Sequence, residues 1–337
     1  MENNKNKLVY IGFAFPHHKG THAGYNHIKD YLDYDYVIDT QKYIESFQKT
    51  SLLGKIRTRI LKFKYLFKCS MLALFKGHVI FHFVHGENNF VPFPFMNFRG
   101  SKVVVTLHQP YSWFADNKIW LTRIPKIDVV TLVGKTEIGK FESLTHKKNV
   151  YFYAHGICTN FYNPGEKICN ASKEKLVLMV GNWLRDFVFA SKIFTYLENK
   201  SPDVKIVVVT NKSNAHYFET NKSVQVKSGI SDFELLNLYR QASCLFLPLE
   251  RYTANNALLE AGAVGCKILI ASNHADNSYI PSNLLSICPL KEDIAQDKLM
   301  KILNSGSFYN GDLVDFVCKN YSWEVVASNF KEFLLDL

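Results

Sequence analysis

The stretch TANNALLEA, residues 253–261, carries three kinds of polar side chain directly after the apolar run CLFLPL. Thr253 and Asn255 are both residues that cap a helix N-terminus, and the helix they start runs on through Ala257, Leu258 and Leu259. Asn256 and Glu260 stand four residues apart on it and share a face. A helix N-terminus presents unpaired N–H groups and partial positive charge to phosphate or sugar oxygens, and a carboxylate one turn further on accepts from two neighbouring hydroxyls. That combination suits a nucleotide sugar. The alternative is plainer: the asparagines only cap and Glu260 is solvated.

Two other groups have the types for chemistry and lack the context. Asp33 and Asp35 form a D-x-D triplet, a carboxylate pair able to hold a metal, at the entry to a strand. His17, His18 and His22 have zinc-ligating side chains, yet their loop holds Gly and Lys with no carboxylate or cysteine, which equally fits a solvated or substrate-facing loop. No G-x-S-x-G elbow, phosphate-binding Walker loop or G-x-G-x-x-G occurs, which weakens hydrolase, ATPase and dehydrogenase readings.

The elements that must position these residues are legible as alternating strand-like and helical segments. Strands are expected at KLVYIGFA, YDYVID, HVIFHFV, KVVVTLH, DVVTLVG and NVYFYAHG, then at LVLMVGN, KIVVVTN, SVQVKSG, SCLFLPL, KILIAS and LLSICP. The runs VLMV and IVVV are apolar throughout, as in strands buried on both faces. The aperiodic segment from Cys158 to Lys175, rich in Asn, Pro, Gly and Lys, joins the two halves. The expectation is an α/β chain of two doubly wound domains facing across a cleft, with ligands at the carboxyl ends of the strands.

The 337 residues are 47% hydrophobic and 21% charged, ordinary for a globular chain and enough for two cores. Seven scattered cysteines without a C-x-x-C pair argue for a reducing compartment. With no segment of signal-peptide or membrane-spanning type, a cytoplasmic location is expected. The formal charge of +10 implies an anionic partner. Lys55, Arg57, Arg59, Lys62, Lys64, Lys68 and Lys76 follow one another with no acid between them, while Ile56, Ile60, Phe63 and Phe67 recur at helical steps. Either that apolar stripe packs on a sheet, or the helix lies beside an anionic membrane surface. No nucleic-acid module is visible, and nucleic acid is not an expected partner.

From Glu260 to Ser272 the chain reads EAGAVGCKILIAS, which resembles the helix and strand of glycosyltransferase family 4, enzymes of the GT-B fold. SGISDFELLNLYRQASCLFLPL, YFYAHGICTNFYNP, VLMVGNWLRDF and YSWEVVASNFKEFL resemble further segments of that family in the same order, so residues 145–337 carry most of the likeness. It implies an N-terminal acceptor-side domain over 1–160, a donor domain over 161–318 and a helix over 319–337 that crosses back to the first domain. Gly181 and Arg185 fall in the turn that receives the donor diphosphate, and the backbone near Ile230 would face the base. Thr253, Asn255, Asn256 and Glu260 complete the implied donor set. Two departures stand out: Tyr252 occupies the place of the family's first acid, and Asn182 that of its Arg, with Arg185 in place of its Lys.

In the first half, VVVTLHQPYSW resembles the family strand ending in a histidine near the reacting sugar, so His108 is either a contact of the transferred sugar or acceptor, or a buried structural histidine. In PHHKGTHAGYNHI, Gly20 and Gly24 would allow close backbone approach to donor phosphates, and His22 and Tyr25 would meet the acceptor. The resemblance implies retaining sugar transfer from a nucleotide diphosphate donor, with no metal or cofactor beyond that co-substrate. Its acceptors are glycans or polyprenyl-linked glycans of bacterial surface polysaccharides, met at the inner face of the membrane. A non-catalytic GT-B subunit that binds a nucleotide or glycan and regulates a partner is the alternative suggested by Tyr252.

Overall fold

A computed structural model describes residues 6–47, 51–165, 174–251, 254–274 and 279–337. The chain divides into two compact units, Met1–Gly156 with Trp323–Leu337, and Ile157–Ser322. Each is built on a six-stranded, wholly parallel sheet. All twelve strands fall inside the β-branched and aromatic runs expected to form them.

In unit 1 the strands are β1 (Lys7–Gly12), β2 (Tyr36–Asp39), β3 (Val79–Phe83), β4 (Lys102–Leu107), β5 (Val129–Leu132) and β6 (Val150–Phe152), in the order β2-β1-β3-β4-β5-β6. In unit 2 they are β7 (Leu176–Val180), β8 (Lys205–Val209), β9 (Val224–Lys227), β10 (Cys244–Pro248), β11 (Ile268–Ala271) and β12 (Ser286–Cys288), in the order β12-β11-β10-β7-β8-β9. The strand order reverses between β1 and β3 in unit 1, and between β7 and β10 in unit 2. Those switch points open crevices at the strands' carboxyl ends. Strands β3, β5, β7, β10 and β11 are buried along their whole length; β7, β10 and β11 read accordingly as apolar runs, while β3 and β5 carry the buried His82 and Thr131.

Asp33 and Asp35 lie before β2, at the amino end of the sheet. Asp35 accepts from the Leu8 amide at 2.9 Å and from Lys7 Nζ at 3.0 Å, and Asp33 pairs with Lys331 at 2.8 Å. Both carboxylates thus serve as structural ties on the side of the sheet away from its switch point. Lys331 belongs to the Trp323–Leu335 helix, which returns the chain to unit 1 and sets Phe330 against His82 and Tyr153.

The Leu52–Lys76 helix starts at Ser51, whose hydroxyl accepts from the Gly54 amide. It packs through Tyr65, Leu66, Cys69 and Ala73. The other apolar stripe, Ile56, Ile60, Phe63 and Phe67, remains 43 to 54% exposed. The helix therefore packs on the unit 1 core through a face other than the expected stripe, of which Phe63 meets Phe93 with ring centres 5.8 Å apart.

Candidate functional site

Unit 2 assembles its polar groups where β7 and β10 lie side by side. After β7 the chain turns at Gly181, whose φ of +127° disfavours any side chain and whose Cβ, if present, would stand 2.6 Å from the Arg185 guanidinium. Leu184 in the same turn holds a φ of +55°, rare for a bulky residue. The strain is borne because the turn is fastened to the end of β10. Arg185 bridges Leu249, the Asp186 amide donates to the Pro248 carbonyl at 3.1 Å, and the Glu250 amide donates to the Leu184 carbonyl at 3.2 Å.

So fixed, the half-buried Arg185 donates from Nε to the Val180 carbonyl, from Nη1 to the Trp183 carbonyl, and from Nη2 to Asn255 Oδ1, at 3.1, 3.1 and 3.2 Å. All three acceptors are neutral, and among the described residues no carboxylate pairs with it. Burial pushes the guanidinium down to about 10, which leaves it charged at neutral pH.

Asn255 is the N-cap of the Asn256–Val264 helix. Its Oδ1 also accepts from the Leu258 amide at 3.3 Å, so both of its neighbours are donors and the amide orientation is determined. The Nδ2 group is thereby left buried with no partner among the described residues. An unmet buried donor costs about 1–3 kcal/mol. A ligand oxygen beside Arg185 would satisfy it.

For Glu260 the plainer alternative, a solvated side chain, does not hold. It is 3% exposed, not solvated, and the Tyr239 hydroxyl donates to its Oε2 at 2.8 Å. Burial pushes its carboxyl up to about 7, against the lowering effect of the Tyr239 and Tyr162 hydroxyls. Asn256 is half-buried at the first helical position, and Ile230 is half-buried after β9, before the Ser231 cap of the Asp232–Gln241 helix. Thr253 and Tyr252 lie outside the described residues. Asn182 accepts from Thr210 Oγ1 at 3.0 Å and from the Asn211 amide at 2.6 Å, so it ties the turn to the end of β8.

Unit 1 ends its strands differently. His85, His108 and His155 follow β3, β4 and β6, and His85 stacks on His108 with ring centres 4.9 Å apart. Tyr25 meets His108 edge-on at 5.0 Å, His155 at 5.4 Å and Trp323 at 5.5 Å. Tyr25 is 2% exposed, so the structure places this expected acceptor contact in the core. Burial pushes His155 down to about 3 and His85 well below the usual imidazole range, so both are neutral.

His108 keeps 18% of its side chain exposed, and its Nδ1 lies 3.5 Å from Glu87 Oε1. Gly24 has a φ of +109°, and a Cβ there would approach Asn26 Oδ1 to 2.7 Å and the His18 ring to 3.0 Å. His22 is half-buried in the preceding turn, which the Thr21 carbonyl and His27 Nε2 hold at 2.8 Å. Sequence reasoning passed over Glu87, His85 and His155. Their signal was position: each follows a strand end within a few residues.

No family profile and no curated protein matches the sequence. Solved structures do match the fold, which is that of the GT-B glycosyltransferases. Sucrose-phosphate synthase from Thermosynechococcus elongatus is 11% identical, with a TM-score of 0.65 over 97% of this chain and 98% of its own. Anabaena HepE, solved with UDP and glucose, is 11% identical, with a TM-score of 0.65 over 98% of this chain and 100% of its own. TarM is 13% identical, with a TM-score of 0.64 over 82% of this chain, which spans only 58% of TarM's length.

Proposed function

We propose that the protein is a glycosyltransferase that moves a sugar from a nucleoside-diphosphate donor onto a glycan or polyprenyl-linked glycan, with retention and without a metal. The observation that carries this reading is the Arg185 and Asn255 pair. It joins a cation with only neutral acceptors, a buried amide donor left over and a helix N-terminus at one switch point. In the reaction the anomeric carbon–phosphate oxygen bond breaks as the acceptor oxygen bonds to the same face of that carbon. The acceptor's proton passes to the leaving diphosphate. Arg185, the Asn255 amide and the helix N-terminus stabilise the charge that develops there. Gly24 lets the backbone approach the donor phosphates, His22 and His108 serve the sugar and acceptor, and Ile230, Asn256 and Glu260 the nucleotide sugar.

The test is a screen of the intact chain against UDP- and GDP-sugars, scored by nucleoside-diphosphate release, with NMR of the product and a chelator arm. An inverted anomeric centre rules out the same-face mechanism, and loss with chelator rescued by manganese rules out metal independence. Binding without turnover turns the reading toward a regulatory GT-B subunit.

The proposal extends to place. Among the described residues no helix is long and apolar enough to cross a membrane. The exposed Ile56, Ile60, Phe63 and Phe67 stripe has Arg57, Lys64 and Lys68 along one flank and Arg59 along the other by helical spacing. Such a face suits an anionic bilayer at the cytoplasmic side, where a lipid-linked acceptor for surface polysaccharide would be met. Co-sedimentation with anionic vesicles should weaken as the screening length falls from about 10 Å at 0.1 M salt to about 3 Å at 1 M. It should also drop when Arg57, Lys64 and Lys68 become Gln. Equal binding to neutral vesicles, or none to either, removes the membrane role.

A further inference from the structure

We infer that Glu87 is a positioning residue that fixes the ring orientation and proton of His108. The inference rests on the reading that His108 meets the transferred sugar or the acceptor. Glu87 enters from the short Gly86–Asn89 turn after β3. A Cβ on Gly86 would collide with Val105 of β4, so glycine lets that turn press against the neighbouring strand. Glu87 is thereby carried under the end of β4, where His108 follows. Its side chain is only 6% exposed, Oε1 faces His108 Nδ1 at 3.5 Å, and Oε2 is buried without a hydrogen bond among the described residues.

A carboxylate in such a place needs a donor, because burying the charge without one is costly. The imidazole edge of His108 is the group that Oε1 faces. The separation is longer than a formed hydrogen bond, and a small rotation of either side chain closes it. His85 stacked on one face and the Tyr25 edge against the ring hold the imidazole in that attitude. With Nδ1–H donating to Glu87, the lone pair of the ring lies on Nε2. That atom is buried as well, so the hydroxyl it accepts from is one that a bound sugar or acceptor brings against the ring. The carboxylate selects this tautomer over the Nε2–H form that an unconstrained histidine favours.

Nitrogen-15 NMR of the histidine rings in the full chain at pH 8 reads the tautomer directly. The Nδ1–H form of His108 should predominate. Glu87→Met, similar in volume but without an acceptor, should move the ratio about tenfold or more toward Nε2–H. Glu87→Asp should retain the native form. A native His108 that is mainly Nε2–H overturns the inference and needs no variant, so a Met variant that fails to fold does not protect it. A ratio unchanged by Glu87→Met overturns it equally.

In transfer assays with the donor found by the screen, Glu87→Met should lower kcat about tenfold at constant KM, as for other residues that orient an imidazole. Glu87→Asp should recover most of the loss. Full turnover by His108→Asn would reject the role of His108 and leave the tautomer assignment standing. Loss with His108→Asn but not with Glu87→Met would remove Glu87 alone.

Discussion

The two sheets share a doubly wound plan and end in opposite materials. Strands β3 and β6 lead into histidines that burial keeps neutral, set among Tyr25 and Trp323. At β7 and β10 stand a guanidinium with only neutral acceptors and an amide donor in excess. The contrast lies chiefly in the loops, although the strands of unit 1 also bury His82, Thr106 and Thr131. A scaffold that fixes where loops emerge leaves their charge free to be set by sequence. Unit 2 is thereby suited to an anion, and unit 1 to neutral hydroxyl-bearing groups.

The largest expected effect breaks the anion side. Arg185→Ala should weaken calorimetric binding of UDP or GDP by about 2 to 4 kcal/mol, while His155→Gln leaves it unchanged. Equal losses in the two variants would erase the distinction.

The next two effects have opposite signs in pH. Glu260 titrates at about 7 in the fold against 4.5 unperturbed, so the fold binds its proton more tightly than the unfolded chain. Its contribution is full below pH 4.5 and lost as pH rises through 7, on the order of 3 kcal/mol across that window. Glu260→Gln should flatten this fall in thermal unfolding scans. His155 titrates at about 3 in the fold against 6.5, so its contribution is present above 6.5 and lost as pH falls, about 2 kcal/mol by pH 5. His155→Gln should spare the melting temperature on the acid side only. A histidine variant that changes the neutral side instead would contradict the assignment.

The smallest effect sharpens the comparison. Asn255→Asp keeps a helix cap and gives Arg185 a carboxylate, so stability should rise by about 1 kcal/mol while diphosphate binding weakens. If both fall together, the amide was not the group awaiting an acceptor.

Much of this was legible in the chain. Runs such as KVVVTL and LVLMV specify buried parallel strands through their β-branched content, and the Asn255 cap through residue type alone. The Leu52–Lys76 helix was legible only in part, because two apolar stripes share it and the 3.6-residue period does not say which one packs. Tyr25, Glu87, His108 and His155 escaped as a group, because only the sheet brings such separated positions together. Glu260 was expected in a ligand site from its type and spacing, yet its burial under Tyr239 depends on how two helices meet.

The return of the Trp323–Leu335 helix to unit 1 bears on how the protein is made. Synthesis releases all of unit 2 before the segment that seals Tyr25, His82 and Tyr153 has left the ribosome. The nascent first unit must therefore keep an uncovered aromatic face in solution while the second folds, a span in which chaperone capture competes with misassociation.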